Sequence, residues 1–322
     1  MKKKKKKIRG KMVLAFVLYN IILAVILAPF ILFWGPFDSL KVLAVGSVAT
    51  SRHPQVAEAF LSQEEISQIM HQNDAMGIGT FQNFAKGQVI SDPSAGITIE
   101  DIEGQNFKGK VMLVEDPKRV KVATTQELGV TGQRVTDMVR DSGAIAGINA
   151  GGFYDPNGKG NGAFPDGLTV HEGQIVHNNV GNDPVNIVGF DDQGKLVIGT
   201  MRAEDLAKNN IQEAVTFGPN LVVDGQPMVT GDGGWGIAPR TGIGQRADGT
   251  IIFVVIDGRQ PTWSLGATLS DMMNVFLEYG AVNAVNLDGG SSSELVYDGK
   301  VMNKLWNVFG ERYIPTSFVV MP

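Results

Sequence analysis

Cysteine is absent from this 322-residue chain. Its absence removes disulfides, thiolate nucleophiles and cysteine-bound metals at once, so the fold rests on its core alone, which a chain of this length can build. Histidine is scarce. His53, His71, His171 and His177 are the only four, and none lies near the hydroxyl-rich stretch at 291–293. With G-x-S-x-G also missing, a Ser-His-Asp triad is poorly supported. There is no H-x-x-x-H pair and no carboxylate-rich calcium loop. D-P-N-G-K-G-N-G at 155–162 has a loose likeness to such a loop but lacks its closing glutamate, and reads as a glycine turn. No internal repeat is visible.

Charge is missing from one long segment, Met12 to Trp34, where Tyr19 and Asn20 alone carry polar groups. A hydrocarbon core takes roughly 20 helical residues, and a buried core helix would show a polar face. The segment therefore reads as a membrane anchor, with a cleavable signal peptide as the alternative. Lys2 to Lys7, Arg9 and Lys11 precede it. Positive charge stays inside, which predicts a cytoplasmic tip over 1–11, an anchor over 12–34, and an extracellular remainder at the cell membrane. The formal charge of −5 is thus a basic tip on a clearly acidic body, and nucleic acid is not an expected partner.

Beyond the anchor, Pro54 to Gln72 has apolar residues at helical spacing, and Ser62 with Glu65 can form a capping box. Residues 73–108 show little periodicity. The reading is a helical stalk and linker over 35–109. From Lys110 short alternating strands are split by turn signals, as in V-M-L-V-E-D, R-V-K-V-A-T and L-V-V-D-G-Q-P-M. Helices are predicted over Gly132–Ser142 and Thr268–Tyr279, the second capped by Thr268 or Ser270 and stopped by Gly280. Strands that do not alternate regularly with helices predict an α+β domain over 110–322, with mixed or antiparallel sheets and a few packed helices.

Four segments end an apolar run with a polar side chain and then glycine: G-I-N-A-G-G-F-Y at 147–154, A-P-R-T-G-I-G at 238–244, V-V-I-D-G-R at 254–259 and N-L-D-G-G-S-S-S at 286–293. Glycine there lets backbone N–H groups approach a ligand. Arg240 is a candidate fork for phosphate or carboxylate, with a structural ion pair as the bland reading. Asp257 and Asp288 end buried strands, where a carboxylate must be hydrogen-bonded or paired. They are the candidate catalytic pair, or a D-G turn in each case. Asn149 and Asn286 either orient a ligand hydroxyl or cap their own loops. Ser291, Ser292 and Ser293 suit hydrogen bonds to phosphate. A hard divalent cation on Asp257, Asp288 and nearby carbonyls is possible, though nothing in the pattern requires one.

These segments, with P-D-G-L at 165–168 and F-G-P-N-L-V at 217–222, resemble the phosphodiester glycosidase family over roughly residues 110–322. The resemblance implies hydrolysis of a sugar-1-phosphodiester to free sugar and a phosphomonoester. Asp288 would activate water or stabilise charge at the sugar. Arg240 and the Gly289, Gly290 and Ser291 amides, with Ser292, would bind the phosphate. Asn149 and Asp257 would hold the sugar hydroxyls, Gly151 and Asn286 would be further substrate-binding residues, and Arg312 would be a second phosphate contact. The expected partner is a glycan or sugar phosphate of the cell envelope or an exopolysaccharide. A non-catalytic phospho-glycan-binding module and a phosphodiesterase cutting P–O are the other readings. The sequence leaves the sugar, the metal requirement and the oligomeric state open.

Overall fold

The computed structural model describes residues 3–36, 41, 44–45, 48, 55–72, 84–156, 160–307 and 310–322. Helix α1 (Lys3–Trp34) contains the apolar stretch, and its side chains from Met12 to Trp34 are almost wholly uncovered. Helix α2 (Gln55–Glu58) and helix α3 (Gln63–Gln72) follow. The predicted capping box is present: the Ser62 N–H donates to Glu65 Oε2 (2.8 Å) and the Glu65 N–H to Ser62 Oγ (3.2 Å). Phe33, Ala57, Leu61, Ile66 and Ile69 form a small core of their own.

The remaining elements are mostly strands: β1 (Ala85–Asp92), β2 (Ile97–Glu103), β3 (Lys108–Val114), β4 (Val120–Thr124), β5 (Ala146–Asn149), β6 (Leu168–His171), β7 (Gln174–Asn178), β8 (Val185–Asp191), β9 (Leu196–Met201), β10 (Ile211–Thr216), β11 (Asn220–Val223), β12 (Gln226–Pro227), β13 (Arg240–Arg246), β14 (Ile251–Ile256), β15 (Ala281–Leu287), β16 (Leu295–Tyr297), β17 (Lys300–Val301) and β18 (Thr316–Val320). Helix α4 (Val135–Asp141) and helix α5 (Leu269–Glu278) fall inside the predicted ranges. Thr268 caps α5 and its hydroxyl accepts from the Asp271 N–H (3.0 Å).

Three sheets result, ordered β1-β2-β3-β14-β13-β15-β11-β12, β7-β6-β10-β8-β9 and β17-β16-β5-β18-β4. Among the described residues every pairing is antiparallel, which settles the predicted mixed or antiparallel arrangement as antiparallel.

The run I-I-F-V-V-I shows how the layers stack. Successive strand residues point to opposite faces. Ile251, Phe253 and Val255 enter a core shared with β4, β5, β8 and β18, while Ile252, Val254 and Ile256 enter a core built on α5. A strand buried on both faces has no polar alternation to show.

Two readings need correction. The linker expected over 73–108 is structured where it is described, since β1 and β2 extend the large sheet by an antiparallel hairpin. The polar composition that hid it belongs to an edge: β1 is exposed along nearly its whole length, and only Ile97, Ile99 and Ile102 of β2 are buried. The glycines of R-T-G-I-G serve packing rather than ligand approach. A Cβ on Gly242 or Gly244 would lie 2.9 or 2.8 Å from the Phe276 ring of α5.

Phe276 is therefore the side chain that seats α5 on the sheet. Phe276→Ala should destabilise the fold by about 3–5 kcal/mol, and Gly244→Ala by about 1–3 kcal/mol through overpacking. Urea unfolding followed by tryptophan fluorescence would check both; a loss under 1 kcal/mol for Phe276→Ala contradicts this role.

Candidate active site

The start of β13 and the ends of β14 and β15 meet at one end of the large sheet, because Arg240 pairs with Ile256 and Thr241 with Leu287. The end of β5 arrives beside them from another sheet, and Asn149 makes the join. Its Nδ2 donates to the Asp288 carbonyl (2.6 Å), and its Oδ1 accepts from Thr241 Oγ1 (2.8 Å) and the Glu294 N–H (3.1 Å). Asn149 is fully buried, so this amide is spent on the scaffold and is not offered to a sugar.

A cleft of about 290 Å³ opens at this junction. Of the predicted residues, Arg240, Asn286, Asp288, Gly289, Gly290, Ser291 and Ser292 line it. Asn149, Gly151, Asp257 and Arg312 do not. A Cβ on Gly151 would meet Val215 at 3.0 Å, so this glycine packs on β10 and its neighbour Gly152 faces the cleft. Arg312 pairs with Asp155 (Nη2 to Oδ2, 2.5 Å) and lies 5.0 Å from the Phe153 ring centroid; only its two partners reach the cleft wall.

Asp257 faces the other way, into a second cavity lined by Lys108, Lys110, Trp263 and Lys304. Its Oδ2 accepts from Trp263 Nε1 (2.7 Å), and its Oδ1 from Asn303 Nδ2 (3.1 Å) and the Lys304 N–H (2.9 Å). Burial raises its pKa despite these donors. It braces two loops, and the Asp257–Asp288 catalytic or metal pair is not formed. Among the described residues no three His, Asp or Glu side chains cluster as metal ligands.

The glycine loop is closed on itself as well. The Gly289 N–H donates to Asp288 Oδ1 (3.0 Å) and the Gly290 N–H to the Pro239 carbonyl (2.9 Å), so these amides hold the turn rather than waiting for an anion. Asn286 Nδ2 donates to the Gly218 carbonyl (2.8 Å), while its buried Oδ1 has no hydrogen-bond partner. That acceptor is sealed from solvent, on a residue that forms part of the cleft wall.

Arg240 is nearly completely buried. Its Nε donates to the Ala267 carbonyl (3.1 Å), and its Nη2 to the carbonyls of Trp235 (3.0 Å) and Gly236 (2.7 Å). It thereby pins the glycine-rich flap 231–236 that carries Trp235, whose ring meets Phe217 edge-on at 6.4 Å. Desolvation, then the nearby Arg259, lower the Arg240 pKa to about 10, which leaves it cationic at neutral pH.

Sequence reasoning passed over two cleft residues that matter. Arg259 lies in the quoted V-V-I-D-G-R, two residues after the chosen Asp257, and its Nη1 comes within 3.4 Å of a Cβ built on Gly290. Asp166 lies in P-D-G-L, the same polar-then-glycine texture. Its Oδ2 is 3.6 Å from a Cβ built on Gly152, and burial raises its pKa. The cleft thus holds Asp155, Asp166 and Asp288 with Arg240 and Arg259, between walls from Phe153, Phe217 and Trp235. Such a mixture suits a ligand that has both an apolar ring face and an anionic group.

Behind the serines, Glu294 is buried with no hydrogen-bond partner for its Oε1. Burial, then the Glu311 carboxylate, push its pKa up to about 10.

Comparison with known proteins agrees with this architecture. Residues 142–321 match the phosphodiester glycosidase family. The SPbeta prophage-derived uncharacterized protein YomE of Bacillus subtilis (strain 168) is 29% identical over 209 residues, which are 62% of this chain and 31% of that protein. The chain thus spans under a third of that relative's length. The zebrafish N-acetylglucosamine-1-phosphodiester alpha-N-acetylglucosaminidase catalytic domain, auto-inhibited by its pro-peptide, superimposes with a TM-score of 0.58 at 21% identity, over 75% of this chain and 83% of that one. A hypothetical protein from Synechocystis gives 0.55 at 16% identity, over 70% and 62%. At these identities the superpositions speak for the fold.

Two outcomes follow for stability. Asp257→Ala strands three donors and should cost about 1–3 kcal/mol, whereas Asp288→Asn keeps the Oδ1 acceptor and should leave the melting temperature nearly unchanged; thermal unfolding that ranks them the other way refutes the bracing role. Glu294 binds its proton more tightly folded than unfolded, so stability drains away as pH rises from the ordinary glutamate range toward 10. Glu294→Gln should flatten that decline, seen as a melting temperature at pH 8 above the parent's.

Proposed function

This chain belongs to the phosphodiester glycosidase family, and from that premise we propose that it hydrolyses a sugar-1-phosphodiester at the C1–O bond. Water oxygen goes to C1, and the products are free sugar and a phosphomonoester. The observation that carries the reading is the pair of arginines in one cleft with Asp288. Arg259 sits close enough to depress the Arg240 pKa, and two like charges beside one cleft favour an anion in it.

Each role follows from position. The phosphate lies toward Arg259, Ser291 and Ser292, with buried Arg240 adding positive potential from beneath. The sugar ring lies along Phe217 and Trp235. Asp288, anchored by Asn149, takes the proton of the attacking water or faces the positive charge growing at C1. The leaving phosphomonoester is a weak base and needs little help from an acid. Asp166, which holds its proton to higher pH than an ordinary aspartate, is the carboxyl able to give that help.

We place this activity outside the membrane. Helix α1 offers an uncharged span, Met12–Trp34, of mean hydropathy 2.6, with the basic residues 2–11 on its cytoplasmic side. The catalytic domain then begins near residue 84 rather than 110, and glycans of the cell envelope or an exopolysaccharide are the substrate class within reach.

The test is turnover of UDP-N-acetylglucosamine and simple sugar-1-phosphodiesters by the full chain in detergent, in oxygen-18 water. Free sugar should appear with the label in it, and Asp288→Asn or Arg259→Ala should lower kcat/KM about 100-fold or more. The rate should fall as pH rises through the raised Asp166 pKa, a limb missing from the residual activity of Asp166→Asn. Label in the phosphate means P–O cleavage, and binding without turnover means a binding module; either result sinks this reading.

A further inference from the structure

The second cavity, about 570 Å³, lies across the segment 257–266 from the cleft, with Asp257 on its wall and Arg259 on the cleft's. Four lysines line it: Lys86, Lys108, Lys110 and Lys304. Lys108 Nζ lies 4.8 Å and Lys304 Nζ 4.9 Å from the Trp263 ring centroid. The indole is 41% exposed, and its N–H, bonded to Asp257, fixes the plane of the ring. Toward the cleft the motif recurs, with Arg259 5.4 Å from the ring of Trp306, itself 39% exposed.

The segments 257–266 and 303–306 run side by side, tied by Gln260 Nε2 to the Lys304 carbonyl (2.9 Å) and by the Lys304 N–H to Asp257. Each segment carries one exposed tryptophan beside cations, Trp306 beside Arg259 and Trp263 beside Lys304 and Lys108. Carboxylates pair with three of the four lysines and leave Lys304 as the uncompensated cation of the seam. Asp101 pairs with Lys110, Glu103 with Lys108 (3.0 Å), and the Asp257 oxygens are occupied by three donors. Lys86 is engaged with Glu278 and Tyr279. Lys304 is exposed and has no carboxylate partner among the described residues.

We infer that this cavity is a subsite for a neighbouring repeat of a phosphodiester-linked glycan polymer, with a sugar ring on Trp263 and a phosphate at Lys304 and Lys108. The inference rests on the glycosidase reading for its substrate class. An exposed cation–π contact is weaker than a charge-assisted hydrogen bond, so a phosphate can draw the ammonium groups off the indole and leave its face to a sugar. A ligand held at both places gains by effective concentration, where a single sugar phosphate fills the cleft alone.

The experiment is calorimetric titration of the full chain in detergent, carrying Asp288→Asn so that binding is read without turnover. The probes are a short poly(N-acetylglucosamine 1-phosphate), in which each sugar C1 is joined through a phosphodiester to the next sugar, UDP-N-acetylglucosamine, and single-stranded DNA of matched charge. The polymer should bind about tenfold tighter than the monomer. The double variant Lys108→Ala/Lys304→Ala, and separately Lys304→Glu at its exposed position, should abolish that preference while monomer affinity holds within about twofold; Lys195→Ala, a surface charge elsewhere, should change neither. Equal affinity for polymer and monomer, a preference that survives both variants, or DNA bound as tightly as the polymer overturns the inference. Loss of hydrolysis in the wild type with polymer preference intact counts against the glycosidase reading alone.

Discussion

The buried amide of Asn149 ties together three segments far apart in the chain: the end of β15 at Asp288, the start of β13 at Thr241, and the backbone at Glu294. It stands at the end of β5, in a different sheet from β13 and β15. One side chain therefore holds two sheets at the angle that opens the cleft. Because donor and acceptor are both engaged away from water, moving any one segment strands a polar group, which makes the arrangement stiff. That stiffness reaches Asp288 through its own backbone carbonyl, and in the role proposed for it a carboxylate fixed in advance loses nothing to reorganisation when charge develops before it.

Charge in the cleft is arranged by depth. Arg240 sits beneath, its guanidinium turned to backbone carbonyls of the flap and of Ala267, so its charge reaches a ligand as a field more than as a contact. Arg259 stands at the wall in a left-handed backbone conformation (φ 58°) that a non-glycine residue adopts only when its surroundings impose it. Here the closed turn Gln260–Ser264 and the Arg259 N–H bond to the Leu265 carbonyl (2.9 Å) impose it. The same turn directs Asp257 into the neighbouring cavity, so one tight loop sorts an acid from a base.

Much of this was legible from local pattern. The α5 cap and stop signals, the Ser62–Glu65 box and the apolar run of β14 read correctly because each is decided within a few residues. N-L-D-G-G-S-S-S was found as a cleft loop for the same reason. The direction of Asp257 was not legible, since it depends on how the chain turns after Gly258. Nor was the use of Gly242 and Gly244, whose reason, Phe276, is more than thirty positions away. Arg259 and Asp166 were overlooked in segments already in view, because residue type alone does not tell which of two neighbouring charges faces the ligand. Strand β1 was hidden by its own exposure, as a strand with water on both faces has no hydrophobic rhythm to display.

That outermost strand carries a further meaning. The register of β1 slips between Lys86 and Val89, and Lys86 leans over Tyr279 of the neighbouring helix end. A bulge and a lysine on an open edge interrupt the row of free N–H and C=O groups that another sheet would need in order to zip onto it. For copies crowded side by side on a surface by the proposed anchor, where encounters are confined to two dimensions, this irregular border acts as a spacer: neighbours can touch without adding strands to one another.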